Sequence, residues 1–152
     1  ALQLTAPIEK TFHLEIADRD YPPEDGAEPT TVAIKQATQA QFETRMQMFS
    51  VYKNTFKYDE EGNQAIESVE TRNIYTIQRK DAFLTLADCN ITYIAEGKKK
   101  AEKLFKFKDG QLDMTEDEFT IAWGMLPATV AREIHTKILE VNPTWVMSGE
   151  AR

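Results

Sequence analysis

The chain has one cysteine among 152 residues, so no disulfide can form within it. The cystine-stapled frameworks of small secreted domains are thereby excluded, and a reducing compartment is consistent with the composition. Cys89 sits in the largely apolar run "AFLTLADCNITYI" and reads as a small buried hydrophobe. Histidine is scarce too, with only His13 and His135. A histidine metal site would need both imidazoles brought together with carboxylates, so no metal or cofactor is expected. Serines are few, and none stands in a nucleophile context. The phosphate-cradling G-x-x-x-x-G-K, the dinucleotide G-x-G-x-x-G, the G-x-S-x-G elbow and H-E-x-x-H are all missing. No run approaches the roughly 20 apolar residues of a membrane span. The start "ALQLTAPIEKTF" has neither the basic opening nor the apolar stretch of a secretory signal. A soluble intracellular protein is the expectation. Excess positive charge is lacking as well: the net charge of -7 gives nucleic acid or an anionic membrane no cationic face to bind.

What is present suits a globular core. Hydrophobic residues make up 41% and charged residues 28%, enough for one domain, or a compact domain with an arm. Residues 11–17, "TFHLEIA", alternate with Phe12, Leu14 and Ile16 on one face, which predicts a half-buried strand. The stretch "DRDYPPEDGAEP" is a loop by composition, and "TTVAIKQA", with Val32 and Ile34, returns to an extended pattern able to pair with the first strand.

At Thr38 the period changes. Phe42, Met46 and Phe49 stack on one helical face, and Thr38 with Gln41 has the form of a capping box. Val51 to Tyr58 favours a strand or a continued helix, broken before the turn "DEEGN", and residues 65–71 carry β-branched side chains. From Asn73, a candidate cap, the run to Ile91 is helical in spacing through Ile74, Ile77, Leu84 and Ala87. In "LFKFKDGQLDM" the residues Leu104, Lys106 and Lys108 alternate with Phe105 and Phe107. Asp109-Gly110 is a two-residue hairpin signal.

The strongest pattern is "TEDEFTIAWGMLPATVAREIHTKILEVNPTW". Thr115 and Glu118 form a second capping box, and Glu116 and Asp117 suit the positive end of the helix dipole. Phe119, Ala122 and Trp123 share a face, and Pro127 ends one helix and opens the next. Val130, Ile134, Ile138 and Val141 form an apolar stripe that Asn142-Pro143 terminates. Physically this is a packed helical hairpin, with Trp123 and Trp145 large enough to close its ends.

Other charged groups read as solvated surface. His135 falls one residue off the Ile134 stripe. Asp18, Asp20, Glu24 and Asp25 offer oxygen ligands but lack EF-hand spacing. Lys98, Lys99 and Lys100 suggest an exposed turn, and Glu60 and Glu61 border a turn where water keeps them ionised. No catalytic residue is assigned.

Three patches, "TVAIKQATQAQFETRMQMFS", "FLTLADCNI" and "EDEFTIAWGMLPATVAREIHTKILEVNPTW", resemble small morphogenesis proteins of long-tailed bacteriophages. An acidic-aromatic entry, a Trp, a Leu-Pro, a helix and a final Asn-Pro-x-Trp recur together in that family. The resemblance implies a tail assembly chaperone-like protein that binds the tape measure or tail tube protein without chemistry. The alternative is a component built into the virion (neck, tail or capsid-stabilising) beside neighbouring subunits, and a small enzyme or inhibitor of a host system is more remote. It also implies the host cytoplasm during assembly, or the virion, and leaves self-association open.

The combined expectation is an α+β protein with an N-terminal antiparallel strand pair and long loop, central helices and a C-terminal helical hairpin. Residues 1–37 would form a β segment or arm and residues 38–145 a mainly helical domain with a short hairpin near 104–114. Residues 146–152 would be a tail. The candidate interaction residues are Trp123, Leu126, Pro127 and Trp145 on the hairpin, and Tyr21, Pro22 and Pro23 in the long loop. Met46, Met48, Met114, Met125 and Met147 could add adaptable contact surface.

Overall fold

A computed structural model describes residues 1–49, 53–58, 64–70 and 74–146. Strand β1 (Glu9–His13) pairs antiparallel with β2 (Thr31–Lys35), with Phe12 opposite Val32 and Lys10 opposite Ile34. The expected N-terminal strand pair is therefore present, and the protein is α+β.

Two corrections concern where strands stop. The 11–17 strand ends at His13, and the short helix α1 (Glu15–Asp20) takes over the positions of Ile16 and Ala17. Leu14 is fully buried at the junction, while Ile16 is 40% exposed rather than on the strand's apolar face. The cause is remote: the Glu133 carboxylate accepts the backbone N–H groups of Ile16 (2.8 Å) and Ala17 (3.0 Å). These donors have no partner within the first turn of a helix, so a carboxylate placed there favours helix over strand. The predicted helix from 73 to 91 is also too long. Helix α3 (Ile74–Thr85) gives way to β5 (Leu86–Cys89), which pairs antiparallel with β2 and becomes the sheet's third strand, in the order β1-β2-β5. Leu86, Ala87 and Cys89 are all buried. A short apolar run buried on both faces has no period to separate strand from helix. The proposed Asn73 cap and the "DEEGN" turn lie outside the described residues.

Helix α2 (Gln39–Phe49) starts at the expected capping box: Thr38 N–H donates to Gln41 Oε1 and Gln41 N–H to Thr38 Oγ1. Among its described side chains the buried one is not Met46, which is 46% exposed, but the neighbouring Arg45. Strands β3 (Lys53–Tyr58) and β4 (Gln64–Glu70) form a separate antiparallel pair, with a bulge between Thr55 and Phe56.

Two small hairpins follow. The first, not foreseen, pairs β6 (Thr92–Tyr93) with β7 (Glu102–Lys103). The second pairs β8 (Phe107–Lys108) with β9 (Gln111–Leu112) across Asp109-Gly110. Both turn residues have positive φ, 53° and 72°, the geometry that makes an Asp-Gly hairpin turn match the strand twist. Leu104 and Phe105 are both buried, so the predicted alternation does not hold before Phe107.

Helix α4 (Glu116–Gly124) carries the full Thr115–Glu118 capping box. Helix α5 (Ala128–Val141) begins after Pro127, which is its cap rather than its first residue. The stripe Val130, Ile134, Ile138 and Val141 is buried throughout, each side chain contributing roughly 1.5–3 kcal/mol as an upper figure. A 3-10 turn (Pro143–Trp145) follows. One hydrophobic cluster joins these layers: Leu14, Val32, Ile34 and Leu86 from the N-terminal half meet Phe105, Phe119, Ile134 and Trp145 from the C-terminal half. Residues 9–35 are thus built into the body through β5 and α5.

Candidate functional site

Three helices converge on one buried carboxylate. Helix α3 places Ile77, Asp81 and Thr85 four residues apart on its inner face, all fully buried. Arg45 of α2 forks onto Asp81, with Nε 2.7 Å from Oδ1 and Nη2 3.3 Å from Oδ2. Nη2 also donates to the Trp145 carbonyl at 2.7 Å, and the guanidinium lies 5.0 Å from the centre of the Trp145 ring. From α5, His135 Nε2 lies 2.9 Å from Asp81 Oδ2. A carboxylate held by a guanidinium only accepts, so the imidazole nitrogen is the donor.

An Asp–His pair at this distance is the orienting half of many hydrolytic sites. Here the side chains of Arg45, Asp81 and His135 are at most 4% exposed. The imidazole lies beneath the surface, and Arg45 occupies the carboxylate from the other side. What the knot does is tie α2, α3, α5 and the terminal 3-10 turn together through charge-assisted bonds. His135, read from sequence as lying off the stripe, is a core residue. The available signal for Asp81 was its place four residues after Ile77, on the buried face of α3.

Three further polar side chains clamp backbone at a distance. Besides Glu133, Asn142 accepts from Ala37 N–H (2.8 Å) and donates to the Lys35 and Ile138 carbonyls. Asn90 accepts from Thr31 N–H and donates to the Pro29 carbonyl. Asp18 accepts from Thr30, and His13 Nε2 lies 2.7 Å from it. Burial pushes the Asp18 carboxyl up, but the bonds from Thr30 and His13 outweigh this and hold it below its usual value. Burial raises the Cys89 thiol to about 11, in keeping with its reading as a core residue.

The sequence-predicted interaction residues separate into two groups. Trp123 is 8% exposed and stacks on Phe119 at 5.9 Å, and Trp145 is 1% exposed beneath Arg45. Both indoles are core, and neither offers a partner its ring. Leu126 and Pro127 are half-buried at the turn between α4 and α5. Tyr21, Pro22 and Pro23 are exposed and line a cleft with Tyr93 and Ile94, residues that sequence spacing did not connect to them. Of the methionines, Met46 and Met125 are exposed, Met48 and Met114 half-buried, and Met147 lies outside the described residues. Among the described residues no group of three or more His, Cys, Asp or Glu side chains is placed to hold a metal ion, and no helix is long and apolar enough to cross a membrane.

Comparison with known proteins gives no match: no protein-family model fits the chain, and no curated protein or solved structure matches it.

Proposed function

We propose that this protein acts by binding other proteins during assembly of a long-tailed bacteriophage particle, in the manner of a tail assembly chaperone. The observation that carries the binding role is the distribution of uncovered apolar side chains. Leu2, Leu4, Ile94 and Ile121 are each more than 60% exposed, and Tyr21 and Met125 more than half. Such side chains on several faces gain from being covered by a partner. The bacteriophage context comes from the C-terminal Trp, Leu-Pro and Asn-Pro-x-Trp set. Its two tryptophans act inside the fold, so that set supports kinship with the family rather than marking the binding surface.

A permanent place in the virion is the second reading. Residues 1–8 favour it: they precede the first strand and are all exposed, so they can reach a neighbouring subunit. Co-purification separates the two. The chaperone reading expects capture of the tape measure or tail tube protein and absence from finished virions. Stoichiometric presence in virions would transfer the assignment to the structural reading, and failure to bind any virion or assembly protein would remove both.

A further inference from the structure

Two segments distant in sequence enclose a cleft of about 670 Å³. One wall is the loop after α1, with Tyr21, Pro22 and Glu24, and the other includes Tyr93 and Ile94 at β6. Tyr21 is 56% and Ile94 61% exposed, so apolar surface faces outward from both walls. The walls are held in place. Asp18 and Asn90 fasten the returning end of the loop at residues 29–31, and the Tyr93 hydroxyl donates to Glu102. The charge lining is one-sided: Glu24 and Glu28 border the cleft, and among the described residues no Lys or Arg does.

We propose that this cleft is a docking site for a segment of a partner protein that presents an apolar side chain flanked by Lys or Arg. This rests on the protein-binding reading and names the partner's chemistry. Proline and tyrosine surfaces take an apolar anchor with little loss of rotamer freedom, because both are stiff. The two carboxylates then choose among anchors: they attract flanking cations and repel acidic segments, a selection reinforced by the chain's net charge of -7. An acidic loop alone would attract any cation. The apolar walls between the carboxylates add the requirement for an anchor.

The test uses two fluorescent peptides, one with a central leucine flanked by lysines and the other with the same leucine flanked by glutamates. Anisotropy is read against the intact protein, Tyr21→Ala and the double variant Glu24→Lys/Glu28→Lys. All three substituted residues are exposed, so the variants keep the fold. The lysine peptide binds, the glutamate peptide does not, and the double reversal weakens binding about tenfold or more. Tyr21→Ala weakens it several-fold, and binding by the intact protein falls as salt rises from about 0.05 to 0.5 M. Equal binding of both peptides, no binding of either, or indifference to the charge reversal overturns the proposal. A dimer that the same double variant dissolves also overturns it, since a second copy would then be the occupant. If the intact protein and the double variant capture tail proteins equally well, the cleft assignment fails while the protein-binding function stands.

Discussion

Removing the Asp81 charge while keeping its shape tests whether the buried knot holds the helices together. In Asp81→Asn the guanidinium of Arg45 remains at 3% exposure and loses the carboxylate it forks onto, keeping the Trp145 carbonyl as an acceptor. Stranding one partner of a buried ion pair costs about 3–5 kcal/mol, far above the effect of an exposed pair. In a chain of this size each kcal/mol moves the melting temperature by roughly 2–4 °C, so Asp81→Asn should melt about 6–20 °C lower. Arg45→Met alone leaves the carboxylate with His135 as its remaining side-chain partner and should cost a similar amount. The double variant Arg45→Met/Asp81→Asn removes both charges of the pair, and the new amide can still bond His135. It should regain part of the loss, giving a coupling of about 2–3 kcal/mol between the two sites. The assay is urea unfolding followed by circular dichroism, with equal m-values across the set as the check on two-state behaviour. A loss under about 1 kcal/mol for Asp81→Asn, or strictly additive single losses, would refute the claim that these charges depend on one another.

Three other substitutions probe separate parts of the structure. Glu133→Ala frees the Ile16 and Ala17 amides and should cost about 1–3 kcal/mol, with hydrogen exchange at those two amides accelerating more than in β2. Equal protection in both proteins would show that α1 forms without the carboxylate. Trp123→Ala removes a core ring stacked on Phe119 and should cost about 3–5 kcal/mol, read by thermal melting, whereas an unchanged melt with lost partner binding would put the ring on an interface. Cys89 should resist iodoacetamide at neutral pH until the protein is unfolded. Its folded pKa of about 11 exceeds the ordinary 9.0, so the folded state holds the proton more tightly. The associated stability is complete below pH 9 and is lost as pH rises toward 11. The stability of the native chain relative to Cys89→Ala should accordingly fall by about 2–3 kcal/mol across that window. A constant difference would mean that the thiol already meets water in the fold.

Sequence reading succeeded where the cause is local. The Thr115–Glu118 box, the Asp109-Gly110 turn and the Val130–Ile134–Ile138 stripe each depend on residues within a turn or two, and each appears as expected. It failed where the decisive partner is remote. Helix α1 follows from a carboxylate more than 100 residues later. Strand β5 exists because β2 offers an edge, which the spacing of Leu84 and Ala87 cannot report. On α2, the period put Met46 inside, but Arg45 is inside because Asp81 waits there for it. The cleft was half legible. Tyr21, Pro22 and Pro23 stood out by composition, while Tyr93 and Ile94 sat unassigned in the apolar run around Cys89 until folding set them opposite.

The C-terminal helix explains why the most conspicuous motif is part of the core. Along α5 the apolar stripe packs into the shared core, while three polar residues beside it reach different parts of the chain. Glu133 sets α1, His135 joins the knot on α3, and Asn142, just past the helix, fixes the backbone between β2 and α2. A helix serving so many internal contacts cannot also give its indole neighbours to a partner without loosening the sheet, the knot and α1 together. Under the proposed binding role, recognition would fall to positions whose loss costs the fold little, such as the loop bearing Tyr21 and the exposed residues 1–8. Substitutions there should change binding at constant stability, and substitutions along α5 should lower stability first and binding only as a consequence.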